Sequence, residues 1–193
     1  MAADPAVICL EFNELTPTLL DAFISQGHLP HFKKLRDRSI VQTTNANAAG
    51  EWLNPWVQWV TVHSGLDASE HEVYRLSNAY KLNVPAIWDT ISSAGQRVWM
   101  CGSMNPWSSE ELNGHLLPDP WSHQFNSYPE GEFAAYDAFV SKNVQEYAAK
   151  KSPVSIKERF RFVEYMLDHG LHISTIKRIF IQLLQECIGK HRW

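Results

Sequence analysis

The sequence predicts an α/β domain: a partial doubly wound parallel sheet followed by a helical carboxyl-terminal segment. Three observations predict it. Short apolar runs rich in β-formers alternate with helical patterns between residues 6 and 102. Each of three helical patterns in that region stops at a glycine, Gly27, Gly65 or Gly95. From Phe133 onward the pattern is helical throughout.

Taken in order, Ala6 to Phe12 (AVICLEF) reads as a buried parallel strand, because its apolar run does not alternate with polar residues. A helix follows. Thr16 suits its cap, Pro17 its first position, Leu15 and Leu20 a hydrophobic staple, and Leu19, Leu20, Phe23 and Ile24 its buried stripe. Residues 30–38 (PHFKKLRDR) predict a short basic-faced helix, and Ser39 to Thr44 a second strand. A loop of small and polar residues, 45–54, leads to a helix opened by Pro55 and closed at Gly65. Val84 to Gly95 predicts another helix, with Ile87, Trp88 and Ile91 inward and Asp89 and the paired serines outward. Arg97 to Gly102 (RVWMCG) predicts a third strand.

Residues 103–131, rich in proline and turn residues, read as a long surface excursion. Helices are expected over 133–149 and 155–168, and over 173–188, where Ile173, Ile176, Phe180, Leu183, Leu184 and Cys187 make an apolar stripe. The expected division is 1–121, an α/β part, and 122–193, a helical cap or insertion. Three strands are fewer than the usual five or six of a doubly wound sheet. A missing carboxyl-terminal half, or a partner chain, is therefore expected to complete it.

Composition limits the partners. The 193 residues are 45% hydrophobic and 20% charged, values of a globular chain. A net charge of -4 gives no basic footprint for nucleic acid or an anionic membrane. No apolar run approaches the ~20 residues of a membrane span. Cys9, Cys101 and Cys187 are widely spaced and odd in number, and Cys9 and Cys101 sit in apolar runs, where a thiol is a small hydrophobe. With no secretory signal before the first strand, the chain is expected to be cytoplasmic.

In an open α/β sheet, ligands sit outside the carboxyl ends of the strands. Two segments arrive there. Glu11, at the end of the first strand, is either a hard oxygen ligand for a divalent cation or a polar residue in a turn. Asn54 opens the helix at Pro55, where free backbone N–H groups suit an anion.

Four stretches carry a resemblance. Val7 to Leu15, SQGHLPHFKKLRDRS at 25–39, WVTVHSGLDASEHEV at 59–73 and VPAIWDTISSAGQRVWMCG at 84–102 occur in an order and spacing similar to the alkaline phosphatase superfamily. They resemble in particular its type I phosphodiesterase and nucleotide pyrophosphatase branch, over roughly residues 6–121. The resemblance implies a metal-dependent phosphoric- or sulfuric-ester hydrolase acting on a small phosphorylated or sulfated substrate, with Zn, Mn or Mg as cofactor. It implies Glu11 as a metal ligand where the family usually has Asp. At the nucleophile position it leads to Asn54, because no hydroxyl lies between Asn47 and Thr61. Asn54 would then bind or orient the phosphoryl group by its amide. His71 matches a structural histidine that closes a loop, and His115 and His123 fall where the family shapes its pocket. His169, His172 and His191 match no ligand. The alternative is a non-catalytic, degenerate member that binds a phospho-ligand or another protein.

Overall fold

The computed structural model describes residues 6–108, 111–122, 127–144, 154–187 and 189. They fall into two compact units, 1–125 and 126–193.

In the first unit the helices form where their caps and stops predict. Helix α1 (Pro17–Ser25) starts at Thr16, whose Oγ1 accepts the Leu19 N–H at 3.3 Å. It ends where Gly27, at φ +80°, lets the His28 N–H reach back to the Phe23 carbonyl at 2.9 Å. Only Ile24 of its expected stripe is buried. After α2 (Pro30–Arg36) and a short turn at Gly50–Leu53 comes α3 (Pro55–Ser64), closed by the left-handed Gly65. A single turn, α4 (Ala68–His71), and helix α5 (Ile87–Ser93) complete the set.

The sheet differs from expectation. It has two parallel strands, β1 (Val98–Cys101) and β2 (Gly114–Leu117), paired Val98↔Gly114 through Cys101↔Leu117. Gly114 is required there: a Cβ would stand 1.8 Å from the Val98 carbonyl oxygen. The expected strands at 6–12 and 39–44 do not form, and neither segment joins a sheet among the described residues. Val7 and Ile40 are 94% and 92% exposed. A strand-forming composition favours extended backbone, but a ladder needs a neighbour, and these described residues offer none. Cys9 and Cys101 are exposed free thiols, not core residues.

The stretch after residue 103 corrects a second expectation. It holds β2 and buries Ser103, Asn105, Leu112, Leu116, Leu117 and Asp119, so it is no surface excursion. Several of its buried polar groups gather around Asp119. The Asp119 carboxylate accepts the Asn105 N–H at 2.9 Å, the Trp121 N–H at 2.8 Å and the Ser122 hydroxyl. The apolar core gathers around α3, where Val60 packs with Val73 and Leu82. Helix α5 is turned from its expected facing. Trp88 is buried, but Ile87 and Ile91 are exposed, while Asp89 accepts the Ser108 hydroxyl at 2.5 Å and the Ala86 N–H at 2.8 Å.

The second unit is helical: α6 (Ala134–Val144), α7 (Ile156–Asp168) and α8 (Ile173–Cys187). The expected extensions to 149 and 188 lie outside the described residues. Phe139 of α6 stacks on Phe162 of α7 at 4.0 Å. Ser155 caps α7, and the Lys142 Nζ donates to Glu158 at 2.5 Å. That bond, with the Ser155 N–H and hydroxyl, holds the Glu158 carboxyl down to about 2. Among the described residues no helix is long and apolar enough to cross a membrane.

Candidate functional site

Glu11 is drawn into a cluster assembled from three distant parts of the sequence. It lies in the segment 6–12, Ser103 follows β1 by two residues, and His63 lies in the last turn of α3. The His63 Nε2–H donates to Glu11 Oε1 at 2.9 Å and the Ser103 hydroxyl donates to Oε2 at 2.5 Å. His63 and Ser103 are only 5% and 7% exposed. Aromatic rings fix the imidazole: Trp59 stacks on it at 5.7 Å and Trp88 tilts against it at 4.7 Å. Both indoles are anchored, Trp88 Nε1–H to the Trp107 carbonyl at 2.9 Å and Trp59 Nε1–H to Asn13 Oδ1 at 3.4 Å.

Burial opposes ionisation of Glu11, but the bonds from His63 and Ser103 and the attraction of His63 outweigh it and hold the carboxyl below its ordinary value. The carboxylate stands between the other two groups, whereas in a nucleophilic triad the imidazole bridges acid and hydroxyl. A carboxylate of lowered pKa is a weak base, so Ser103 is not an activated nucleophile here. The second ring nitrogen of His63, Nδ1, is buried without a hydrogen-bond partner.

His71 forms a separate pair. Its Nδ1 accepts the Val73 N–H at 3.0 Å, so in the neutral ring the proton sits on Nε2, which donates to Thr61 Oγ1 at 3.1 Å. Burial lowers its pKa and favours that neutral form. The ring therefore gives a hydrogen to Thr61 and does not take one, and Thr61 is held without being activated.

Asn54 stands at the other end of α3. Its carbonyl accepts the Val57 and Gln58 N–H groups at 2.9 and 3.0 Å, and its side chain makes no capping bond. Nine residue steps lead from it to His63, about 13 Å along the helix axis at 1.5 Å per residue. Glu11 and Asn54 are thus not brought to one point. Among the described residues no group of three or more His, Cys, Asp and Glu side chains gathers to hold a metal ion. Glu11 and His63 fit part of a donor set, one carboxylate and one imidazole, both now turned toward each other. His115 lies in β2, and His123 and His191 fall outside the described residues. In the second unit, His169 stacks on Tyr165 at 3.9 Å, and it and His172 are exposed in the turn before α8.

His63 and Ser103 are site residues that sequence patterns did not single out. A signal for Ser103 exists, since it stands just past the carboxyl end of a strand. None exists for His63, which occupies a core-facing position of α3 in step with Val57 and Val60. No family model matches this chain, and no curated protein or solved structure does either.

Proposed function

We propose that the chain carries part of the site of a metal-dependent phosphoric- or sulfuric-ester hydrolase of the alkaline phosphatase type, on the first strands of a doubly wound sheet. The observation that carries this reading is the meeting of Glu11 and His63 with Ser103, two residues past the carboxyl end of β1. That is where an open α/β sheet binds its ligands. Glu11 would hold a divalent ion, Zn²⁺, Mn²⁺ or Mg²⁺, with His63 as the neighbouring nitrogen donor. Such an ion supplies Lewis-acid polarisation of a phosphoryl or sulfuryl oxygen. Ser103 keeps the Glu11 carboxylate oriented, and the α3 N-terminus with the Asn54 amide offers donors to an anion. The remaining ligands would come from a further segment or a partner chain. Exposed thiols at Cys9 and Cys101 support a reducing, cytoplasmic setting.

The test is thermal unfolding of the chain with Zn²⁺, Mn²⁺ or chelator, run beside hydrolysis of an aryl phosphodiester. A metal at a hundred times its Kd should raise Tm by roughly 5–10 °C, and Glu11→Gln should abolish the rise. No shift with any of these ions sinks the metal-dependent reading.

One observation favours a second reading, a non-catalytic module that binds a phospho-ligand or another protein. Asn54 brings no hydroxyl to the α3 N-terminus, and about 13 Å of helix separates it from the Glu11 cluster. Orthophosphate or sulfate that stabilises the chain without metal, and without any turnover, would decide for it.

A further inference from the structure

Helices α7 and α8 each present an apolar stripe on the outside of the second unit. On α7, Ile156, Phe160, Val163 and Leu167 recur at steps of four, three and four. On α8, Ile173, Ile176, Phe180 and Leu183 recur at steps of three, four and three. Such alternating steps of three and four are the repeat of a coiled-coil seam, and on α8 the exposed Ile179, Ile181 and Leu184 widen the apolar surface beside it. Ile156 and Phe160 are both 73% exposed and Phe180 is 61% exposed, while Ile176 is half-buried. α7 already packs against α6 through a different face, that of Phe162. α7 and α8 do not pack side by side along their lengths.

We infer that the two stripes meet between two copies of this chain, α7 of each copy lying antiparallel on α8 of the other. The sequences fit in one register. Leu167 faces Ile176, Val163 faces Phe180 and Phe160 faces Leu183, so each step down α7 equals the step up α8. The same register sets Glu164 beside Lys177 on one flank and lays the aliphatic stem of Lys157 over Leu184. A parallel alignment with Phe160 on Ile173 would set Arg159 beside Lys177 instead, like charge on like. The charges therefore favour the antiparallel register over that parallel one. Because α7 meets α8 and α8 meets α7, one twofold axis satisfies all four stripes and the assembly closes as a dimer. This surface is independent of the Glu11 cluster and of the hydrolase reading.

The first measurement is the mass of the full chain by light scattering at tens of micromolar and low salt. It should be twice 22.1 kDa. Val163→Glu or Phe180→Glu should yield a monomer with unchanged helical circular dichroism, because both side chains are open to solvent in the single chain. Glu164→Lys alone, or Lys177→Glu alone, should each weaken the dimer roughly tenfold, since two contacts per dimer turn repulsive. An equal mixture of these two variants should recover the dimer, because both contacts in the mixed pair are again of opposite charge. A hairpin closed within one chain could not be rescued by mixing. A monomeric mass at every concentration overturns the inference. So does a mixture that fails to recover, or a chain that binds anionic vesicles as a monomer through the same stripes.

Discussion

Helices α3 and α8 invert the usual relation between pattern and burial. α3, PWVQWVTVHS, is apolar around most of its circumference and has no sharp stripe, yet Val57, Val60 and His63 are buried. α8, ISTIKRIFIQLLQEC, has a sharp stripe, yet Ile173, Phe180 and Leu183 stand in solvent. Periodicity states that a helix has a face to bury. Whether that face is buried within its own unit depends on what else the unit brings to it, and α3 has Val73 and Leu82 where, among the described residues, no such buried cluster covers α8.

The contrast can be broken at a single residue on each side. Val60→Asp puts an unpaired charge in the core of the first unit and should cost more than about 4 kcal/mol, with loss of the cooperative transition in urea followed by Trp fluorescence. Phe180→Asp should change the stability of the isolated chain by about 0.5 kcal/mol or less, read at concentrations too low for association. Equal losses from the two changes would mean that α8 is buried within its own chain after all.

The polar part of the α3 surface sharpens the comparison further. Glu11→Ala leaves His63 and Ser103 buried without their common acceptor and should cost roughly 2–3 kcal/mol. The pH dependence has a definite sign. The folded Glu11 carboxyl titrates below its ordinary value of 4.5, so its contribution is complete above pH 4.5 and is lost as pH falls through the lower folded value. Glu11→Gln should flatten the stability profile in that acid range and leave the profile near neutrality unaltered.

His71 provides the smallest of these effects, in a different window. Its folded pKa lies below 6.5, so the unfolded chain takes up a proton first. Stability from this group is complete above pH 6.5 and declines as pH falls from there toward the folded value. His71→Gln should remove that decline, measured as urea midpoints across the range. A decline that persists in the variant would assign it to another group.

Much of the helical framework was legible in the sequence because its signals are local. Thr16 with Pro17, Pro55 with Gly65, and Ser155 with Glu158 mark ends by hydrogen bonds that close within a few residues. The parallel sheet was legible only in part. RVWMCG forms β1, but GHLL, hidden in a stretch rich in turn residues, supplies its partner. AVICLEF has the composition of a central strand and no ladder, because pairing is a property of neighbours and not of a segment. Of the candidate site, Glu11 was legible as a carboxylate closing a strand-like segment. Its partners were not, since His63 and Ser103 lie 52 and 92 residues further along the chain.

By itself the sequence determined the α/β class, the starts and stops of most helices, the absence of a long apolar span and the amphipathic character of α7 and α8. These rest on backbone preferences and on periodicity, which act over one or two turns. The tertiary structure alone decided that Glu11 is paired with a buried histidine and a serine, that Asn54 is held at the far end of α3, and that Asp119 is satisfied inside the fold. It also decided which apolar faces stay open. Those outcomes depend on which groups meet across long stretches of chain, and a hydrogen bond or a buried face exists only when both of its sides are in place.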